Sequence, residues 1–126
     1  DMLRAISGQQ IDHVYARSWA APDSPYEHDP SVTLTIGLSG GATVTYDGDW
    51  AARDGDTSWN GDWEIIGREG RLLWSGGLAD DMTADLRLDL WGKPIETVPL
   101  PHLHAQDRSG VLVEFRDAIA EGRRPE

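Results

Sequence analysis

The 126-residue chain carries 22 acidic against 11 basic side chains, for a formal net charge of −11, and it has no cysteine. That balance argues against nucleic acid or an anionic membrane as a partner, since both take clustered Lys and Arg, and it leaves no disulfide, thiolate metal site or cysteine nucleophile. No apolar run nears the roughly 18 residues of a membrane helix, so a soluble chain with one domain and one core is expected, and the lack of cysteine fits a reducing, cytoplasmic setting.

Residues 1–7 place Met2, Leu3 and Ile6 on one helical face, and Gly8 suits a left-handed cap. Asp1 is not a natural initiator. The chain opens inside this amphipathic segment, with neither the basic start nor the apolar core of a signal peptide, so it reads as a piece of a longer protein. Residues 11–20 alternate small Val14, Ala16 and Ser18 with bulky His13, Tyr15, Arg17 and Trp19, which is a strand. Pro22, Pro25 and Pro30, set among Asp23, Ser24, Glu27 and Asp29, make 21–30 a loop, because proline cannot sustain a hydrogen-bonded ladder.

The organising stretch is 31–47. Val32, Leu34, Ile36 and Leu38 alternate with Thr33, Thr35 and Gly37; Ala42, Val44 and Tyr46 alternate with Thr43, Thr45 and Asp47. A two-residue turn at Gly40-Gly41 would set one strand's apolar row beside the other's polar row. A three-residue loop, Ser39-Gly40-Gly41, instead pairs Leu38 with Ala42, Ile36 with Val44 and Leu34 with Tyr46, and supplies glycine where the backbone turns left-handed. Residues 48–62 then read as an exposed acidic loop bearing Trp50 and Trp59.

Residues 63–66 and 71–75 form a second predicted hairpin around Gly67-Arg68-Glu69-Gly70. Residues 85–91 alternate Leu86, Leu88 and Leu90 with Arg87, Asp89 and Trp91, and 96–100 is a short strand that Pro99 and Pro101 confine to an edge. Residues 109–121 carry Val111, Leu112, Phe115, Ala118 and Ile119 at helical spacing, with Ser109 as N-cap and Gly122 as C-terminal cap. The sum is an α+β fold: a single, mostly antiparallel sheet with two helices packed on one face.

Chemistry is harder to place. His102-Leu103-His104 would point two imidazoles the same way on a strand, but no third ligand is near and Asp107 is the one adjacent carboxylate, so the segment reads as a surface connector and no metal site is assigned. His13 and His28 lack a serine or cysteine elbow. Carboxylate pairs for glycoside cleavage are expected by chance among so many acids. Of the six tryptophans, Trp63 and Trp91 on strands read as structural, while Trp50 and Trp59 are pocket candidates. No Gly-x-Gly-x-x-Gly follows a strand and opens a helix, so no dinucleotide cradle is expected in this chain.

Three stretches together carry a resemblance: the opening Asp1-Met2-Leu3-Arg4-Ala5-Ile6-Ser7-Gly8, the glycine-turn pair Trp63-Glu64-Ile65-Ile66-Gly67-Arg68-Glu69-Gly70-Arg71-Leu72, and the closing Phe115-Arg116-Asp117-Ala118-Ile119-Ala120-Glu121-Gly122-Arg123-Arg124-Pro125. In this order, with the central hairpin between them, they resemble the C-terminal domain of the Gfo/Idh/MocA oxidoreductases, the glucose-fructose oxidoreductase and inositol dehydrogenase family.

The resemblance implies a longer enzyme whose N-terminal Rossmann domain, not present here, binds NAD or NADP, and whose C-terminal domain helps form the pocket for a sugar, polyol or related alcohol and joins the subunits of a homo-oligomer. The family's catalytic lysine belongs to a Glu-Lys-Pro motif of the other domain, and Lys93-Pro94 follows Gly92, so that role is not carried over. Asp1 matches the last aspartate of the family's Asp-x-x-x-His-x-x-Asp segment, which places the catalytic histidine before the first residue. The chain alone is therefore expected to be inactive and to hold no cofactor. Asp1, Trp50 and Trp59 are its substrate-pocket candidates, and Thr33, Thr35, Thr43 and Thr45 its interface candidates. The alternative readings are a non-catalytic carbohydrate-binding or protein-interaction β module and, behind it, a small hydrolase.

Overall fold

A computed structural model describes residues 2–53, 57–76, 84–102, 105 and 107–125. It divides into two compact units, 1–56 and 57–126.

The first unit opens with helix α1 (Met2–Ser7), where the Gly8 N–H closes on the Arg4 carbonyl at 2.9 Å. Strands β1 (Ile11–Trp19), β2 (Ser31–Leu38) and β3 (Thr43–Asp49) follow as an antiparallel sheet in that order. The β2–β3 register is the one the alternation predicts: Leu34 faces Tyr46, Ile36 faces Val44, and the Leu38 N–H donates to the Ala42 carbonyl at 2.9 Å. The Gly41 N–H returns to the Leu38 carbonyl at 2.9 Å, and Gly41 sits at φ +86°, the left-handed position such a loop reserves for glycine. The core of the unit centres on Ile36 and Leu38, with Val32, Leu34 and Val44 half-buried around them. Strand β3 runs two residues past the expected boundary, to Asp49, and β1 is shifted against β2 by a bulge between Ile11 and His13.

The second unit holds β4 (Asp62–Ile66), β5 (Gly70–Ser75), β6 (Asp85–Leu90) and β7 (Glu96–Thr97), again antiparallel and in chain order, with β7 at the edge where its flanking prolines place it. Trp63 stacks on its cross-strand partner Trp74 at 6.2 Å between ring centroids, and Leu72 pairs with Leu88. On the opposite face Arg71 reaches Glu64 at 2.7 Å and Asp89 at 2.9 Å, tying three strands together.

The α+β class holds, but the expected single sheet does not: among the described residues the strands pair as a three-stranded and a four-stranded sheet.

Helix α2 (Asp107–Glu121) requires two corrections. It starts two residues before the expected N-cap, so Ser109 lies inside it. Its buried side is also not the apolar stripe. Ala118 is 1% exposed and Gly110, Val113 and Asp117 are half-buried, whereas Val111, Leu112, Phe115 and Ile119 are 55–70% exposed. The C-terminal end is as expected: Gly122 turns at φ +66° and the Arg123 N–H reaches back to the Ala118 carbonyl at 3.0 Å.

Candidate functional site

The strand alternation of the first unit segregates two faces, and the odd-numbered face is polar and open. Its rows run across the sheet as His13–Gly37–Thr43, Tyr15–Thr35–Thr45 and Arg17–Thr33–Asp47. Contacts along and across the strands put these side chains on one side. The His13 imidazole lies over Gly37, the His13 and Tyr15 rings meet edge-on at 5.7 Å, and the Thr33 hydroxyl donates to Asp47 Oδ1 at 2.5 Å. The four threonine candidates are thus brought onto a single face. Thr35, Thr43 and Thr45 are exposed and Thr33 is half-buried, while β1 is exposed along its whole length.

At the end of this sheet, where β1 leaves and β2 enters, an open cleft of about 500 Å³ is lined by Trp19, Asp23, Ser31, Asp49 and Arg53, among others. Ser31 is 3% exposed, and its hydroxyl donates to Asp49 Oδ1 at 2.8 Å; the Ala51 N–H donates to the same oxygen at 2.8 Å. Two donors therefore hold that carboxylate in place, and Arg53 and Asp23, which also line the cleft, pair with each other. An indole beside fixed carboxylates and a guanidinium can cover the apolar side of a small ring and accept from its hydroxyls.

Of the pocket candidates, Trp50 lies in the first unit. Trp50 is 72% exposed and held by its backbone, its N–H donating to the Pro30 carbonyl at 3.1 Å and its own carbonyl accepting from the Tyr26 hydroxyl at 3.0 Å. It does not line the cleft, although its neighbour Ala51 does. Trp59, 86% exposed, belongs to the second unit, and Asp1 lies outside the described residues, as does His104. Sequence reasoning missed Trp19, Asp49 and Arg53. The available signal was the bulky side of β1 running straight into a proline-rich loop.

No family model matches the sequence, and no curated protein sequence does either. Solved structures do. An aldose-aldose oxidoreductase from Caulobacter crescentus, solved with glycerol, superposes with a TM-score of 0.75 at 17% identity, covering 98% of this chain and 35% of its own. A UDP-N-acetylglucosamine 3-dehydrogenase from Acidithiobacillus ferrooxidans superposes with a TM-score of 0.74 at 17% identity, covering 98% of this chain and 36% of its own. The fold is of Gfo/Idh/MocA type. The chain spans about a third of the length of these Gfo/Idh/MocA-type structures, so the resemblance seen in its motifs holds at the level of fold.

A nicotinamide dinucleotide does not fit the residues present. Such a cofactor is cradled where a strand of a parallel sheet runs through a glycine turn into a helix. Among the described residues every strand pair is antiparallel, and no strand passes directly into a helix. No step of cofactor chemistry is assigned to these side chains. No helix among the described residues is long and apolar enough to cross a membrane.

Proposed function

We propose that the chain is the C-terminal, substrate-side and oligomerisation domain of an NAD(P)-dependent oxidoreductase acting on a sugar, polyol or related alcohol, cytoplasmic and inactive without the domain that holds the cofactor. The observation that carries this reading is the coverage: nearly all of this chain aligns with little more than a third of each sugar oxidoreductase. The exposed stripe Val111, Leu112, Phe115 and Ile119 supports it, because an apolar surface of that kind calls for a covering partner. In this reading Asp1, Trp50 and Trp59 border the substrate, and Thr33, Thr35, Thr43 and Thr45 face a second subunit.

The coding sequence upstream of Asp1 tests the proposal. A strand followed by a glycine fingerprint, a Glu-Lys-Pro motif and a histidine in the Asp-x-x-x-His-x-x-Asp spacing that ends on Asp1 are expected. The full-length protein should then reduce NAD⁺ or NADP⁺ with a member of an aldose and polyol panel. A stop codon or an unrelated domain in that place would sink the reading. The same logic requires calorimetry of the 126-residue chain with NADH or NADPH to show no specific binding.

The exposure of Trp50 and Trp59 favours one second reading, a carbohydrate-binding or protein-interaction β module that uses indoles for stacking. Saccharide binding by the isolated chain that Trp59→Ala abolishes, with no cofactor domain upstream, would support that reading instead.

A further inference from the structure

We infer that the cleft at the end of the β1–β2–β3 sheet is a binding site for a small organic cation, a quaternary ammonium ion held between the Trp19 indole and the Asp49 carboxylate. Every residue that lines the cleft belongs to the first unit, so the inference does not rest on the oxidoreductase reading.

The strand register builds the site. Trp19 on β1 pairs with Ser31 on β2, and Ser31 pairs with Asp49 on β3, so the three residues form one row across the sheet. The middle side chain is small and buried, which makes it a floor between an indole that is 40% exposed and a carboxylate that reaches solvent. Neighbouring strands lie about 4.8 Å apart, so a cation seated over Ser31 is about 5 Å from the columns on either side, inside the range at which an indole face attracts positive charge.

Charge decides what the cleft takes. Its charged lining residues are Asp23, Asp49 and Arg53. Asp23 and Arg53 pair with each other and cancel. Asp49 has no ion-pair partner among the described residues: its donors, the Ser31 hydroxyl and the Ala51 N–H, are neutral and both reach Oδ1, which leaves Oδ2 open. The lining therefore carries one uncompensated negative charge. Ala21, Pro25 and Ala52 add alkyl surface around it. A neutral polyhydroxylated ring would give up water at several hydroxyls and meet few free acceptors there. A quaternary ammonium ion needs no hydrogen bond, lays its own alkyl groups on those walls and matches the single charge. The cleft is open to solvent, so millimolar affinity is expected, weakening as salt screens Asp49.

NMR titration of the 126-residue chain with tetramethylammonium chloride tests this, followed at the Trp19 indole N–H and the Ala51 backbone N–H, with sodium chloride at equal concentration and glucose as comparison titrants. Saturable shifts at both groups are expected with tetramethylammonium and with neither comparison. Asp49→Asn keeps a side-chain oxygen for the Ser31 and Ala51 donors and removes only the charge, so it should weaken binding about tenfold in an otherwise unchanged spectrum. Trp19→Leu keeps bulk but removes the aromatic face, and should also weaken binding, read at Ala51; where that variant does not fold, Asp49→Asn decides alone. Trp59→Ala, in the second unit, should leave the affinity unchanged. Equal shifts with sodium, saturation by glucose instead of tetramethylammonium, no saturable shift across the millimolar range, or parent-like affinity in Asp49→Asn would each overturn the inference, and none of them touches the oxidoreductase reading, which the upstream coding sequence decides.

Discussion

Gly70 on β5 lies so close to the Asp89 carbonyl on β6 that a Cβ built on it would stand 2.2 Å from that oxygen and 2.7 Å from the Leu90 Cα. Both are backbone atoms of the neighbouring strand, so neither can swing aside. Gly70→Ala is expected to force the strands apart and cost about 1–3 kcal/mol, measured by urea unfolding. Gly37 makes a useful control. Its Cβ would meet the His13 ring, 2.1 Å from Cε1, but that is an exposed side chain free to rotate. A Gly37→Ala penalty as large as that of Gly70→Ala would contradict the distinction.

The β2–β3 turn offers a second measurement. Gly41 sits at φ +86° with open space around its Cα, so alanine there meets no neighbour and suffers the backbone conformation alone. That cost is about 1–2 kcal/mol. Asparagine tolerates the left-handed region better, so Gly41→Asn should lose less than Gly41→Ala. Equal losses would show that the turn does not hold its left-handed form in solution.

Ile36 and Leu38 are the deepest large side chains of the first unit, 7% and 5% exposed. Ile36→Ala is expected to cost about 2–5 kcal/mol, the range for emptying a buried aliphatic site. Leu34, half-buried on the same strand and face, should cost less than Ile36 on the same truncation. If denaturant melts rank them the other way, the core centres nearer Leu34 than the structure places it.

The parts of the fold legible in the sequence are those that local chemistry decides. Alternation plus one glycine suffices for the register from Leu34–Tyr46 to Ile36–Val44, because a slip by one residue would turn every apolar side chain to water. Gly8 and Gly122 end their helices as expected. What was not legible depends on contacts between segments. Val111, Leu112, Phe115 and Ile119 have good helical spacing, yet spacing says only that they share a side, not what covers it; the buried position of the helix is Ala118 instead, with Gly110, Val113 and Asp117 half-buried. The cleft was hidden for the same reason: Trp19, Ser31, Asp49 and Arg53 are far apart in sequence and meet only once the sheet has formed.

The last turn of α2 provides a pH-dependent observable. Arg116 Nε donates to Asp117 Oδ1 at 2.7 Å, and that hydrogen bond, with the nearby positive charge, lowers the Asp117 pKa below its ordinary 3.8. A folded pKa below the unfolded one means that the carboxylate form is favoured by folding. The contribution is fully present above the unfolded value and is lost as pH falls through the folded one. Both side chains reach solvent, so screening keeps the effect on stability small and the titration itself is the better readout. NMR titration of the Asp117 side-chain carboxyl should give a midpoint below 3.8, and Arg116→Gln should bring it back toward that value. A midpoint unchanged by Arg116→Gln would show that the depression has another source, the next candidate being the Arg123 guanidinium, which clasps Glu114 at 2.6 Å and also lowers Asp117.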